Sequence, residues 1–224
     1  MSKKKTLLTI LAVVLVCCIA VAGTLAFLTE RVETPVVNTF TAAGGGRLID
    51  PDDNDPSDGV EGFYLKESEV KQNDNGSYSF KLENGNKIEV DKNSYKVVPS
   101  TNLPKDPYVR IVGKTEVPAY LYVEVVDGLE GTGLSYTMAS SWTKLDGIKG
   151  THGGQIYVYN NGELVTNTTN LAQIQLLAGD EIVVNDTLTI TENTSVNLQF
   201  YGYLAQATAG DAATAFTTCF INSK

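Results

Sequence analysis

The sequence predicts an all-β protein, an antiparallel β-sandwich of jelly-roll type with a short C-terminal helix, behind an N-terminal signal peptide. Three observations carry this prediction. Apolar and polar residues alternate with period two along many short segments. Asn-Gly and Asp-Gly pairs separate those segments as tight turns. Beyond the first 27 residues, no long stretch repeats with a helical period.

The chain opens with Ser2-Lys3-Lys4-Lys5 ahead of an uncharged, mostly apolar run from Thr6 to Phe27. A basic end followed by an apolar stretch is the pattern of a secretory signal. Signal peptidase takes small side chains at the first and third positions before its cut. Thr24 and Ala26 meet that demand and put the cut between Ala26 and Phe27. Ala20 and Ala22 offer a second cut, after Ala22, and the run is also about long enough to stay as an uncleaved anchor. The division expected is therefore 1–26 as signal peptide, 27–46 as an N-terminal strand with a glycine hinge, and 47–224 as the β-sandwich domain.

Nine strands are expected after the signal, over residues 36–41, 77–82, 87–90, 95–98, 108–112, 120–126, 155–160, 181–190 and 196–205. Their Val, Tyr and Thr content suits a pleated, half-buried surface. Turns are expected at Asn75-Gly76, Asn84-Gly85 and Asn161-Gly162, and at Asp58-Gly59, Asp127-Gly128 and Asp146-Gly147. A short helix is expected over 211–218, where Asp211 can cap an Ala-rich turn.

Charge and composition narrow the function. The chain carries 17 Lys+Arg and 26 Asp+Glu, a net charge of −9. Removing residues 1–26 takes three lysines and no acidic residue, so −9 becomes −12. Nucleic-acid surfaces need clustered positive charge, so that partner class is excluded. The single histidine, His152, cannot supply the paired ligands of a His-Glu-x-x-His zinc site. No Gly-x-Ser-x-Gly elbow is present to position a nucleophile. Of three cysteines, only Cys219 lies outside the signal, so no internal disulfide and no Cys₄ metal site is expected. The expectation is a protein that is not an enzyme and needs no cofactor.

Several segments resemble the SipW-dependent exported proteins of Gram-positive bacteria, the group that includes TasA and camelysin. Gly23-Thr-Leu-Ala-Phe-Leu-Thr29 is similar to that family's signal junction, and Asn38-Thr-Phe-Thr-Ala42 to the short strand after it. Tyr95-Lys-Val-Val-Pro99 with Lys105-Asp-Pro107 resembles a paired motif of clostridial members. Pro99-Ser100 stands where the family has Pro-Gly. Ala119-Tyr-Leu-Tyr-Val-Glu-Val125, Ser141-Trp-Thr-Lys-Leu145 and Ala205-Gln-Ala207 with Asp211-Ala-Ala213 resemble later strands and the C-terminal end. The resemblance implies a jelly roll, export through a SipW-like signal peptidase, and a role as a subunit of a biofilm-matrix or cell-surface fibre. It also implies that the mature N-terminal segment, starting at Phe27, completes the sheet of a neighbouring subunit.

The residues allow that exchange independently. Val36, Val37 and Phe40 stand in a β-prone segment that ends in Gly44-Gly-Gly46. A terminal strand with a glycine hinge can add to an exposed sheet edge. The same segment could equally pair within its own domain as a first strand.

Two further groups stand out. Tyr120/Tyr122, Tyr157/Tyr159 and Tyr201/Tyr203 are Tyr-x-Tyr pairs in three strands. Alternation puts each pair on one face. Neighbouring strands would merge them into one aromatic face, for a cell-wall or matrix glycan or for lateral fibre contact. Ordinary cross-strand packing is the competing reading. Asp50, Asp52, Asn54 and Glu61 take positions 1, 3, 5 and 12 of a calcium-loop spacing. Asp55 stands at the position that demands glycine, so the EF-hand pattern fails and a solvated acidic loop competes with an irregular calcium site. The functional expectation is a secreted fibre subunit at the cell surface or in the matrix, touching membrane only through its signal peptide. An extracellular glycan- or surface-binding module is the alternative.

Overall fold

The computed structural model describes residues 29–31, 36–42, 62–112, 118–165, 171–190, 195–207 and 210–222. Residues 1–26, expected as signal peptide, the expected cut between Ala26 and Phe27, the expected glycine hinge, and the calcium candidates Asp50, Asp52, Asn54 and Glu61 lie outside the described residues.

The described chain is mostly β, with antiparallel sheets and one short C-terminal helix. Its strands begin with β1 (Thr29–Arg31), β2 (Val36–Ala42), β3 (Gly62–Ser68), β4 (Val70–Gln72), β5 (Tyr78–Phe80) and β6 (Leu82–Glu83). Next come β7 (Asn86–Lys87), β8 (Glu89–Val90), β9 (Lys92–Val97), β10 (Leu103–Pro104), β11 (Tyr108–Val112) and β12 (Ala119–Asp127). The last are β13 (Leu134–Ser135), β14 (Trp142–Lys149), β15 (Gln155–Tyr159), β16 (Leu171–Gln175), β17 (Glu181–Val184) and β18 (Ser195–Gln206).

Seven strands form the main sheet, in the order β14-β15-β12-β18-β2-β9, with β1 beside the far end of β18. A four-stranded sheet runs β16-β11-β3-β8 and a three-stranded one β10-β17-β13. One apolar core joins all three. Leu121, Val123, Leu198 and Phe200 of the main sheet cluster with Leu65, Val109, Ile182 and Val184 of the smaller sheets. Removing such side chains from water is the main stabilising term, about 1.5–3 kcal/mol for each large one.

Expected turns explain the hairpins. Asn75-Gly76 turns β4 into β5, and Asn84-Gly85 turns β6 into β7 with positive φ at both residues. Asp146-Gly147 does not end a strand. It forms an irregularity inside β14, where the register with β15 shifts between Lys144 and Lys149. The expected strand over 181–190 stops at Val184, because the turn-forming Asn185-Asp186 pair follows. The Pro99-Ser100 turn persists, with Ser100 at φ 63 in the region that favours glycine.

One expectation is corrected. The main sheet is not wholly antiparallel, since β2 pairs parallel to β9 while pairing antiparallel to β18. Parallel neighbours need a long crossover rather than a hairpin, and 49 residues separate Ala42 from Lys92.

The C-terminal helix α1 (Ala212–Phe216) forms where the capping signal puts it. Asp211 accepts a hydrogen bond from the Thr214 backbone N–H at 2.8 Å. That bond to the charged form holds the Asp211 carboxyl below its ordinary value of 3.8. A lowered folded-state value stabilises above the unfolded value, and the contribution is lost as pH falls through the folded one. Asp211→Ala should therefore lower Tm near neutrality, and the gap to wild type should close at strongly acid pH. A gap unchanged by acid would show that the cap is not the carboxylate.

Candidate functional site

The three Tyr-x-Tyr strands are neighbours, in the order β15-β12-β18, but they do not make one six-tyrosine face. Tyr122 stands opposite Tyr203 across β12 and β18. Across β12 and β15 it stands opposite Val158, while Tyr157 faces Val123. A one-residue offset moves a strand's side chains to the other face. Tyr120, Tyr122, Tyr201 and Tyr203 thus share one apolar cluster with Ile156 and Val158, whereas Tyr157 and Tyr159 pack against the main core.

The four-tyrosine face is also covered rather than open. Tyr122 donates to the Ala212 carbonyl at 2.8 Å and Tyr120 to the Gly210 carbonyl at 3.0 Å. Phe216, fully buried, meets the rings of Tyr122 and Tyr203 edge-on at 5.1 and 5.3 Å. The aromatic face is the seat of the C-terminal helix. Tyr157 instead borders an open depression of about 570 Å³ with Tyr136, Met138 and Asp127.

At the edge of this face lies a polar cluster that the sequence did not announce. Glu124, in the centre of β12, is fully buried. The Gly150–Gly154 loop between β14 and β15 folds over its carboxylate. One oxygen, Oε1, accepts from the backbone N–H of His152 at 2.9 Å and of Gly154 at 2.7 Å. The other, Oε2, accepts from the Tyr203 hydroxyl at 2.5 Å and lies 3.1 Å from His152 Nδ1. The His152 ring stacks flat on Tyr201, centroids 3.6 Å apart. A Cβ at Gly150 would fall 2.1 Å from the Glu124 carboxyl carbon, and one at Gly154 would fall 2.5 Å from the Val125 carbonyl. Both glycines are required by this close approach.

A carboxylate against a histidine is also the beginning of a catalytic dyad. Nucleophile activation needs the carboxylate on one ring nitrogen and the attacking hydroxyl on the other. Here Glu124, Tyr203 and Thr151 all gather on Nδ1, with Thr151 Oγ1 at 3.2 Å. This geometry ties the loop to the sheet and fixes the imidazole. The signals in the sequence were a lone acid inside the apolar run 119–126 and glycines flanking the only histidine.

The Lys105-Asp-Pro107 motif builds a second buried network. Asp106 accepts from Ser68 N at 2.9 Å and Ser68 Oγ at 2.7 Å, and binds Lys87 Nζ at 2.7 Å. Asn93 accepts from Val70 N and donates to the Ser68 carbonyl. Tyr95 donates to the Pro104 carbonyl at 2.7 Å. These bonds join β9 to the segments before β4 and β11.

The N-terminal strand has a defined seat. Residues 36–41 lie antiparallel to 195–200 of β18, with Val36 opposite Phe200, Val37 opposite Gln199 and Phe40 opposite Val196. On the other side Phe40 stands opposite Tyr95 of β9. Thus β2 is an internal strand paired along both edges. Comparison with protein-family models, with curated proteins and with solved structures gave no match in any of the three.

Proposed function

We propose that this protein is a secreted, non-catalytic structural subunit of a cell-surface or biofilm-matrix fibre, assembled by exchange of its N-terminal strand. The observation that carries the reading is the seat of β2, an N-terminal strand bonded on both edges by β18 and β9. A second copy's residues 36–42 can offer the same backbone bonds to that seat. Exchange of an identical element is a low-cost route to assembly, and a head-to-tail exchange gives an open filament.

The connecting chain has the reach. Residues 43–61 span about 60 Å when extended. A domain of this size has a radius of gyration of roughly 15 Å, so the strand can cross to a neighbour. We further propose a jelly-roll arrangement of the sheets, membership of the SipW-dependent group with its TasA-like and camelysin-like proteins, and cleavage by a SipW-like peptidase after Ala26. The covering of the tyrosine face by α1 removes the surface on which the glycan-binding alternative rested.

Electron microscopy of the purified mature protein across concentration and pH tests this reading. Filaments are expected, and they should form more readily on acidification or in added salt, because a −12 subunit repels its copies. Monomers under every condition would overturn it.

A further inference from the structure

Glu67 ends the inward-facing part of β3, and Lys105 lies just before β11. The two strands pair antiparallel, Leu65 opposite Val109 and Lys66 opposite Tyr108, so the two side chains meet beside the ladder. Both side chains have no solvent exposure, and Lys105 Nζ touches Glu67 Oε2. The second carboxyl oxygen, Oε1, is buried with no hydrogen-bond partner. This contrasts with adjacent Asp106, whose two oxygens are both bonded. The surroundings are aromatic, with the Phe200 ring centroid 5.7 Å from Nζ and buried Tyr95 close by.

A carboxylate and an ammonium in such a place are poorly kept as ions, because nothing replaces the water lost by Oε1. Burial pushes the Glu67 carboxyl up and the Lys105 ammonium down. Both directions favour passage of the proton from nitrogen to oxygen. The amine nitrogen is held against the carboxyl in a dry site and in fixed register. Fixed contact of this kind replaces an encounter in solution by an intramolecular step.

We propose that Lys105 and Glu67 are the partners of an intramolecular isopeptide bond. The Nζ lone pair attacks Glu67 Cδ, the Nζ–Cδ bond forms, and the Cδ–OH bond breaks. The hydroxyl leaves with one amine proton as water, and nothing is oxidised or reduced. The charge of adjacent Asp106 acts on both groups, while the proton passes directly from Nζ to the Glu67 oxygen it touches. The bond closes the chain from β3 to β11 around residues 68–104, and so secures β9, which flanks the seat of the N-terminal strand. It forms whether or not the protein assembles into fibres.

Mass spectrometry of the folded wild-type protein tests this without any variant. The chain is expected to be lighter than its sequence by one water, about 18 Da. Trypsin cannot cut after an amidated lysine, so a branched peptide joining residues 67–71 to residues 97–110 is expected. Lys105→Arg should restore the full mass and lower Tm. A wild-type protein of full mass, cut normally after Lys105, overturns the proposal. So does a loss of about 17 Da with a link from Lys105 to Asn93, which would make Glu67 a proton carrier instead of a partner.

Discussion

Glu124→Leu is expected to destabilise the protein by about 3–5 kcal/mol, although leucine nearly matches the glutamate in volume. The cost comes from the groups left behind. The N–H groups of His152 and Gly154 and the hydroxyl of Tyr203 all direct a hydrogen bond at this one carboxylate. A buried donor without its acceptor costs about 1–3 kcal/mol, and here the two amides lose it together while the Tyr203 hydroxyl is left to Thr151 Oγ1 and His152 Nδ1. Glu124→Gln keeps one carbonyl oxygen and should cost only about 1–2 kcal/mol. Urea unfolding measures the loss. Hydrogen exchange locates it, because the His152 and Gly154 amides should lose protection before the rest of the sheet. A leucine variant as stable as wild type, with both amides still protected, would show that the loop is held by something other than Glu124.

Removing residues 27–41 from the mature protein is expected to cost roughly 5 kcal/mol, from two opened sheet edges. Nine register pairs are lost along β18, three from β1 and six from β2, and five of the six along β9. Since domains of this kind are stable by only about 5–15 kcal/mol, the truncated protein should stand near its unfolding threshold. It should be monomeric, and a synthetic peptide of residues 27–42 should restore it. At a hundredfold excess of free peptide over its Kd, mass action returns about 2.7 kcal/mol, visible as a concentration-dependent rise in Tm. Added to the full mature protein, the same peptide should shorten filaments by occupying seats. An unchanged Tm on truncation would remove β2 from its seat, and filaments of normal length from the truncated protein would sink strand exchange.

Much of the fold could be read from local pattern. β11 and β12 are interior strands rich in Val, Ile, Leu and Tyr, and their residues announced them. Asp211 announced the helix, because capping is a local contact. Local alternation missed β14, where only the resemblance of Ser141–Leu145 pointed to a strand, for the reason that edge strands are often missed. Most of it is exposed, its residues include Lys144, Asp146 and Lys149, and Gly147 breaks the alternation. β3 hid for a different reason. Lys66, Glu67 and Ser68 are polar, yet Glu67 and Ser68 are buried by partners 38 residues away.

The sequence by itself determined the mostly β character, the turns at Asn75-Gly76 and Asn84-Gly85, the helix cap, the acidity and the scarcity of histidine and cysteine. Each of these depends on residues near one another in the chain, or on counting. Tertiary structure alone decided the register between β12 and β15, which split six tyrosines into four and two. It also decided that Tyr120, Tyr122 and Tyr203 lie under the C-terminal segment and Tyr201 under His152, that a lone glutamate is the anchor of a distant loop, and that Lys105 meets Glu67. The physical reason is common to all of them. A strand's alternation says that its two faces differ, but only pairing with its neighbours says which face meets which, and what lies on top.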